Sequence, residues 1–464
     1  MTRPWLVLAT CCLSLFLVSM DVTIVNVALP ALARDLHAST SGLQWSIDGY
    51  TVVIASFLML AGSTADRLGR KRIFQIGLAV FALGSLLCSF AGSIEMLVGF
   101  RIVQAIGGSM MNPVAMSIIV NTFTDPKQRA RAIGTWGAVF GISMALGPIL
   151  GGVLVQTAGW RSVFWVNVPI AIAAIVLTAK FVPESRAARP RRIDPVGQLL
   201  IVIVLAALTS VLIEGPMAGW RSPWILGGFV VVGVGLATLI GYERRRVEAM
   251  IDLRFFRSVP FASATLLAVV AFSSFNGALF LSSLYLQTAR GLTASHAGLC
   301  LLPIAITLAI CAPMSGKLVG AGRVRLALVV AGTTLAIGGL VITALDLATP
   351  LAQIIAALAC CGIAMGFINT PITNAAVSGM PRSQAGVASG LASTSRQVGA
   401  TLGIALSGSI VGVAADDPRF PTATHPFWWT VVAGGVAVIA LGFVATSRWA
   451  RRTADSVTDL VSDS

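Results

Sequence analysis

Apolar residues run along this chain in long stretches, broken by short polar and mostly basic segments. A helix that crosses about 30 Å of hydrocarbon needs about 20 apolar residues. Fourteen stretches meet that requirement, at 6–29, 44–64, 73–91, 95–120, 132–156, 162–182, 195–214, 223–242, 261–287, 296–316, 324–345, 350–377, 385–413 and 427–447. The pattern predicts an all-α integral membrane protein with 14 transmembrane helices. The longest segments without an apolar run, near 183–194 and 243–260, are short and basic, which leaves no room between spans for a soluble domain.

The distribution of lysine and arginine tests that count. If the chain starts inside, the segments falling on the cytoplasmic side hold 24 of the 32 basic residues, and the outer loops hold five: Arg34, Arg161, Arg221, Arg290 and Arg419. Positive charge retained on the cytoplasmic side is the usual determinant of topology, so both termini are expected inside. Arg101, Lys180 and Arg396 fall within spans.

Composition agrees. Of 464 residues, 56% are hydrophobic and 11% charged, against roughly 25% charged in a soluble protein, and mean hydropathy is +0.89. Lipid is the solvent for most of the surface. The net charge of +14 is accounted for by the topogenic loops, and no nucleic-acid partner is expected. The seven cysteines lie in apolar runs without metal-ligand spacing, so no metal or other cofactor is expected. Arg3 before an apolar run resembles a signal peptide, but Asp21 interrupts the run and no small-residue cleavage site follows. It reads as a retained first span. The three histidines, His37, His296 and His425, stand near outer ends. No HExxH, GxSxG or Walker loop occurs, so an enzyme and an ATP-driven pump are not expected.

Chemistry is therefore sought in the few polar groups within spans. An ionised side chain at a helix centre costs about 2.5–3.5 kcal/mol on insertion scales. Asp21, in the outer part of the first span, is either a protonatable site or a structural carboxylate held by an arginine. Asp48, just inside the second span, lies toward the same end of the same hairpin, and is either a second coupling acid or an interfacial one. Arg101 sits about six residues, roughly 9 Å, into the fourth span, at a depth similar to Asp21. It needs a partner there, and Asp21 is the first candidate. Arg396, in the thirteenth span, has no acid of its own half to meet, because Asp346 is the one acidic residue between 253 and 415. It contacts carbonyls or snorkels toward the cytoplasm.

Gly62, Asp66, Arg67, Gly69, Arg70 and Lys71, after the second span, read either as topogenic charge or as a conformational latch, with the glycines permitting a tight turn. A faint echo of that loop at Gly316-Lys-Leu-Val-Gly-Ala-Gly-Arg-Val-Arg325 suggests two related halves. Gly137, Gly141, Gly147, Pro148, Gly151 and Gly152 bring small residues and a possible kink to the fifth span. Candidate walls of a substrate cavity are Trp45, Tyr50, Trp136, Phe140, Phe275 and Tyr285, with polar contacts from Asn26 and Asn276. Such walls suit an apolar or cationic aromatic ligand.

These residues together resemble the major facilitator superfamily, and within it the 14-span drug:proton antiporters. The resemblance rests on Met20-Asp-Val-Thr-Ile-Val-Asn-Val-Ala-Leu-Pro30, Gly62 to Arg72, Arg101-Ile-Val-Gln-Ala-Ile-Gly107, the span-5 glycines with Pro148, Trp160-Arg-Ser-Val-Phe-Trp-Val-Asn-Val-Pro169 and Arg396-Gln-Val-Gly399. Gln44-Trp-Ser-Ile-Asp-Gly-Tyr50 is similar to the second span of methylenomycin-resistance and quaternary-ammonium exporters, in which acids matching Asp21 and Asp48 are implicated in proton coupling and cation binding. Thr64 departs from the leucine usual in the loop motif. The second half lacks the membrane acid that exporters of divalent cations often carry.

The resemblance implies a major facilitator fold: a six-helix bundle at 1–182, two inserted helices with linkers at 183–258, a second six-helix bundle at 259–449 and a cytoplasmic tail at 450–464. It implies a transporter in the bacterial cytoplasmic membrane, with Asp21, Asp48 and Arg101 coupling protons to the export of lipophilic or monocationic drugs or antibiotics by alternating access; a monomer is the default expectation. Export of one endogenous metabolite, lipid or siderophore is the alternative.

Overall fold

A computed structural model describes residues 4–186, 194–246, 253–377, 385–450, 452–454 and 456. Among them the regular structure is entirely helical. Backbone amides and carbonyls have no water to turn to in hydrocarbon, and a helix satisfies them within its own segment. The helices are α1 (Pro4–Asp35), α2 (Thr40–Leu68), α3 (Arg70–Ser89), α4 (Ile94–Thr122), α5 (Pro126–Ala158), α6 (Ser162–Trp165), α7 (Asn167–Phe181), α8 (Pro195–Ala218), α9 (Pro223–Glu243), α10 (Val259–Leu284), α11 (Ala294–Gly320), α12 (Val324–Val341), α13 (Leu351–Val377), α14 (Ala385–Val411), α15 (Phe420–Ala423) and α16 (His425–Ala445). Among the described residues thirteen helical segments are long and apolar enough to cross a membrane, with α6 and α7 together forming one of them. The 27-residue α14, which carries Arg396, is a further long helix. Most of the expected tail at 450–464 lies outside the described residues.

The boundaries depart from expectation in three places. The segment from Gly62 to Leu68 is the last two turns of α2, and Gly69 alone separates it from α3. The sixth span is broken at Val166 into α6 and α7. The ninth ends in a π-helical turn, Tyr285–Ala289.

Helix starts follow local side-chain chemistry. Ser39, Ser93 and Asp125 accept the backbone N–H of Gly42 at 3.2 Å, Met96 at 3.3 Å and Gln128 at 2.8 Å, satisfying donors that a helix leaves open at its first turn.

The chain forms two compact units. The first comprises Met1–Gln198 and Leu286–Leu302, the second Leu199–Tyr285 and Pro303–Ser464. In the first, helix backbones approach through glycine. A Cβ on Gly84 of α3 would stand 2.5 Å from the backbone of Gln104 in α4. A Cβ on Gly151 of α5 would stand 2.8 Å from Ile24 in α1. These are the small-residue contacts that let membrane helices pack without a hydrophobic drive between them. In the second unit Gly399 brings α14 onto the Val269 carbonyl of α10, and Gly332 brings α12 onto the Gly435 carbonyl of α16. Helices α8 and α9 interlock where Gly228 and Gly235 receive Val211 and Val204. Val230, Val234 and Leu236 of α9 face outward, as lipid contact requires.

Candidate functional site

The close α3–α4 approach sets Gln104 beside Ser85, and the break before α7 puts Asn167 at that helix's first position. Both face Asp21. Arg101 Nη1 donates to Asp21 Oδ2 and, at 2.7 Å, to Gln104 Oε1. Gln104 Nε2 donates to Asp21 Oδ1 at 2.8 Å and to Ser85 Oγ at 2.6 Å. Asn167 Nδ2 donates to Asp21 Oδ1 at 2.9 Å. Arg101 Nε reaches the Ser46 carbonyl at 3.1 Å, and its guanidinium lies 4.0 Å from the centre of the Tyr50 ring. Asp21 is 0% and Arg101 1% exposed. The anion is thus supplied with a cation and two amide donors, the conditions under which a buried pair is tolerated.

Asp48 is also fully buried but differently served. Thr51 Oγ1 stands 3.4 Å from Oδ1, and Oδ2 has no hydrogen-bond partner among the described residues. Arg101 Nη2 likewise has no partner. Asp21 is thus saturated by the cluster around Arg101, whereas Asp48, on α2, meets Thr51 and keeps one oxygen free among the described residues.

At the other end of this unit, Gly69 has φ +115°, and the chain turns there so that the Glu184 carboxylate caps α3. Glu184 accepts the backbone N–H of Lys71 at 3.0 Å and of Arg72 at 3.2 Å. The Arg70 N–H donates to the Ser185 carbonyl at 2.9 Å, and Lys71 Nζ to the Ala179 carbonyl at 2.8 Å. Asp66 pairs with Arg70 in its own turn, receiving Nη2 at 2.7 Å and Nε at 3.0 Å. Of the expected latch residues, Gly69 and Lys71 thus meet Glu184, while Arg70 meets Ser185 and Asp66 pairs with Arg70. Gly62 faces Pro113, and Arg67 closes the last turn of α2.

The span-5 small residues serve packing against α1, where a Cβ on Gly147 would run into Thr23. Gly152 meets Ala294, and Pro148 meets Gly298, both in the segment grouped with the first unit. Gly141 is buried, and the surroundings of Gly137 lie outside the described residues.

A model of the Major Facilitator Superfamily matches residues 11–404. The chain belongs to that superfamily. It is 37% identical over 399 residues to Multidrug resistance protein Stp of Mycobacterium tuberculosis, a match covering 86% of this chain and 74% of that protein. It is 35% identical to the Tetracenomycin C resistance and export protein of Streptomyces glaucescens, covering 89% and 77%, and 33% identical to the Methylenomycin A resistance protein of Streptomyces coelicolor, covering 86% and 84%. Its fold is similar to a bacterial homologue of the human lysosomal transporter Spinster, with a TM-score of 0.67 at 18% identity, covering 98% and 99% of the two chains. As a superfamily member the chain is a multi-pass membrane transporter, not an enzyme.

The facilitator fold gives the expected cavity residues varied places. Tyr50 is fully buried under Arg101, and its hydroxyl has no partner, so it belongs to the charge cluster. Tyr285 is buried and donates to the Asp346 carbonyl at 2.5 Å, a structural clasp within the second unit. Phe275 is buried in α10. Asn26 and Asn276 each donate to the carbonyl one turn back, at 2.8 and 2.9 Å. Trp136 packs half-buried on the apolar core of the first unit, and Trp45 and Phe140 are also half-buried. Arg396 has no acid. Its Nη2 donates to Ser393 Oγ at 2.7 Å and its Nη1 to Thr373 Oγ1 at 3.3 Å.

The reading from sequence missed Gln104, Ser85, Asn167 and Glu184. Gln104 had a signal, since it stands three residues after Arg101 on the same helix face.

Proposed function

We propose that this transporter expels lipophilic or monocationic small molecules from a bacterial cell in exchange for protons, by alternating access in the cytoplasmic membrane. The observation that carries the coupling is the contrast between two buried acids of one bundle. Asp21 is committed to Arg101, Gln104 and Asn167. Asp48 keeps an oxygen with no partner and has no basic side chain paired with it among the described residues. A carboxyl so placed has an open position for a proton. Asp48 is the proton carrier in this reading, and the Asp21–Arg101 pair is a structural ion pair of the same bundle. The named kinship to drug-resistance and antibiotic-export proteins supports the direction and the class of cargo.

The energetics suffice. One elementary charge moved through 100 mV supplies about 2.3 kcal/mol, enough to hold a neutral solute at a gradient of roughly 40-fold.

The test is efflux of ethidium, a cation, and Nile red, a neutral lipophile, from energised cells expressing the wild-type chain, Asp48→Asn or Asp21→Asn. Wild type should expel at least one dye, a protonophore should stop it, and Asp48→Asn should be inactive at equal abundance. Wild-type efflux indifferent to the protonophore would end the antiport reading. A chain that moves neither dye would point to a single endogenous metabolite, lipid or siderophore as cargo.

A further inference from the structure

Arg396 is the charged group that the coupling reading leaves unused. It lies in α14, eleven residues after the Ala385 start. Its guanidinium turns back to the level of Ser393, which is still eight residues, roughly 12 Å of helix, short of that start. The helix is roughly 40 Å long against about 30 Å of hydrocarbon. Even with about 5 Å overhanging each end, the charge remains inside the apolar slab and does not reach the headgroup level by snorkelling.

Its partners do not neutralise it. Ser393 and Thr373 each offer a hydroxyl oxygen, and the Thr373 hydroxyl is itself spent as a donor to the Asn369 carbonyl at 3.2 Å. No ion pair forms with Arg396 among the described residues, and Asp346, the one acid between 253 and 415, is tied through Oδ1 to Thr349 at 2.9 Å. The surroundings are equally unsuited to lipid. Thr373 and Asn374 are exposed on α13, one turn or so beyond the half-buried Asn369. Polar side chains within a span face a cavity or a bundle interior and not acyl chains. The second unit therefore presents a permanently charged planar donor, rimmed by hydroxyls and amides, with no counter-ion among the described residues.

We propose that Arg396, with the hydroxyls of Thr373 and Ser393, seats an ionised acidic oxygen group, a carboxylate or phenolate, carried by the exported molecule. The inference rests on the exporter reading and adds lipophilic molecules bearing an acid to its cargo. Guanidinium recognises such a group through two parallel N–H donors, and the gain over a neutral isostere is about 10- to 100-fold in affinity.

The experiment measures equilibrium binding of 1-naphthoate and of its neutral isostere 1-naphthamide to the full chain in phosphatidylcholine nanodiscs. Wild type should bind naphthoate at least about tenfold more tightly than naphthamide. Arg396→Gln should lose that margin, and a size-exclusion profile like that of wild type reports an intact fold. Arg396→Lys, which keeps the charge but not the planar fork, should retain part of the margin and serves if the glutamine variant does not fold. Equal affinities in wild type, or a margin that survives in Arg396→Gln, overturn the proposal. So does a margin that disappears when phosphatidylglycerol is added, because the occupant would then be a lipid phosphate. No gradient is present in this measurement, so a failure of proton coupling and a failure of acid recognition are read separately.

Discussion

The Asp21–Arg101 group permits a prediction with a stated size. Asp21→Asn keeps shape and one amide-like oxygen but removes the negative charge. The Arg101 guanidinium, 1% exposed, would be left with the Ser46 carbonyl at 3.1 Å, Gln104 Oε1 at 2.7 Å and the Tyr50 face at 4.0 Å. Breaking a buried pair by removing one partner costs about 3–5 kcal/mol. The remaining acceptors offset part of this, which sets the expected loss near 3 kcal/mol. Arg101→Gln should lose a similar amount, because the Asp21 carboxylate keeps only Gln104 and Asn167 as donors. The double variant removes both charges and should lose about 1 kcal/mol, since a pair replaced whole can be nearly neutral. The singles and the double thus differ by a coupling energy of several kcal/mol. Equilibrium unfolding in mixed micelles measures it. Single losses under about 1 kcal/mol, or a double equal to the sum of the singles, would refute the claim that the two charges stabilise each other inside the bundle.

Other consequences are equally open to test. Tyr50→Phe should leave both stability and transport unchanged, because the Tyr50 hydroxyl has no partner, whereas Tyr50→Leu should cost about 2 kcal/mol by removing the ring under a desolvated cation; the same unfolding assay reads both. Gly69→Ala should cost about 1–2 kcal/mol, since φ is +115° and L residues avoid that region, and its Cβ would also crowd the Glu184 carboxylate at 2.7 Å. Glu184→Gln should cost only about 1 kcal/mol because the cap is at an exposed helix start, and both variants should slow efflux at equal abundance if the cap holds the α2–α3 turn in its working shape. Gly147→Leu should fail to accumulate as folded protein, because the α1–α5 contact leaves no space for a side chain there; a normal size-exclusion profile would contradict that packing.

The apolar runs and their charge bias were enough to read the helical, multi-pass fold, because length in hydrocarbon and the siting of arginine are strong and local signals. The Asp21–Arg101 contact followed from matched depth alone, since an arginine within a span must find an anion. The rest of the cluster did not. Gln104, Ser85 and Asn167 are neutral residues of common type, and nothing short of the α3–α4 approach at Gly84 and the break before α7 shows that they converge. Glu184 sits in the basic segment near 183–194, and a carboxylate capping a helix 113 residues away leaves no mark in local pattern. Tyr50 reads from sequence as a candidate cavity wall, because aromatic walls suit an apolar or cationic aromatic ligand. The cation it serves is Arg101. The turn at Gly69 was drawn too wide, as polar residues at the mouth of a span read as loop although α2 continues through them.

Proton exchange at Asp48 is the central claim, and proton release on binding tests it most directly. Purified protein in weakly buffered detergent would be mixed with the dye it exports best, and the pH change followed with an indicator. The account predicts release of about one proton per dye bound by wild type and by Arg396→Gln, and none by Asp48→Asn, which should still bind the dye; the expected size is one charge-carrying group per cycle. Undiminished release from Asp48→Asn would contradict the account and move the proton to the Asp21–Arg101 pair.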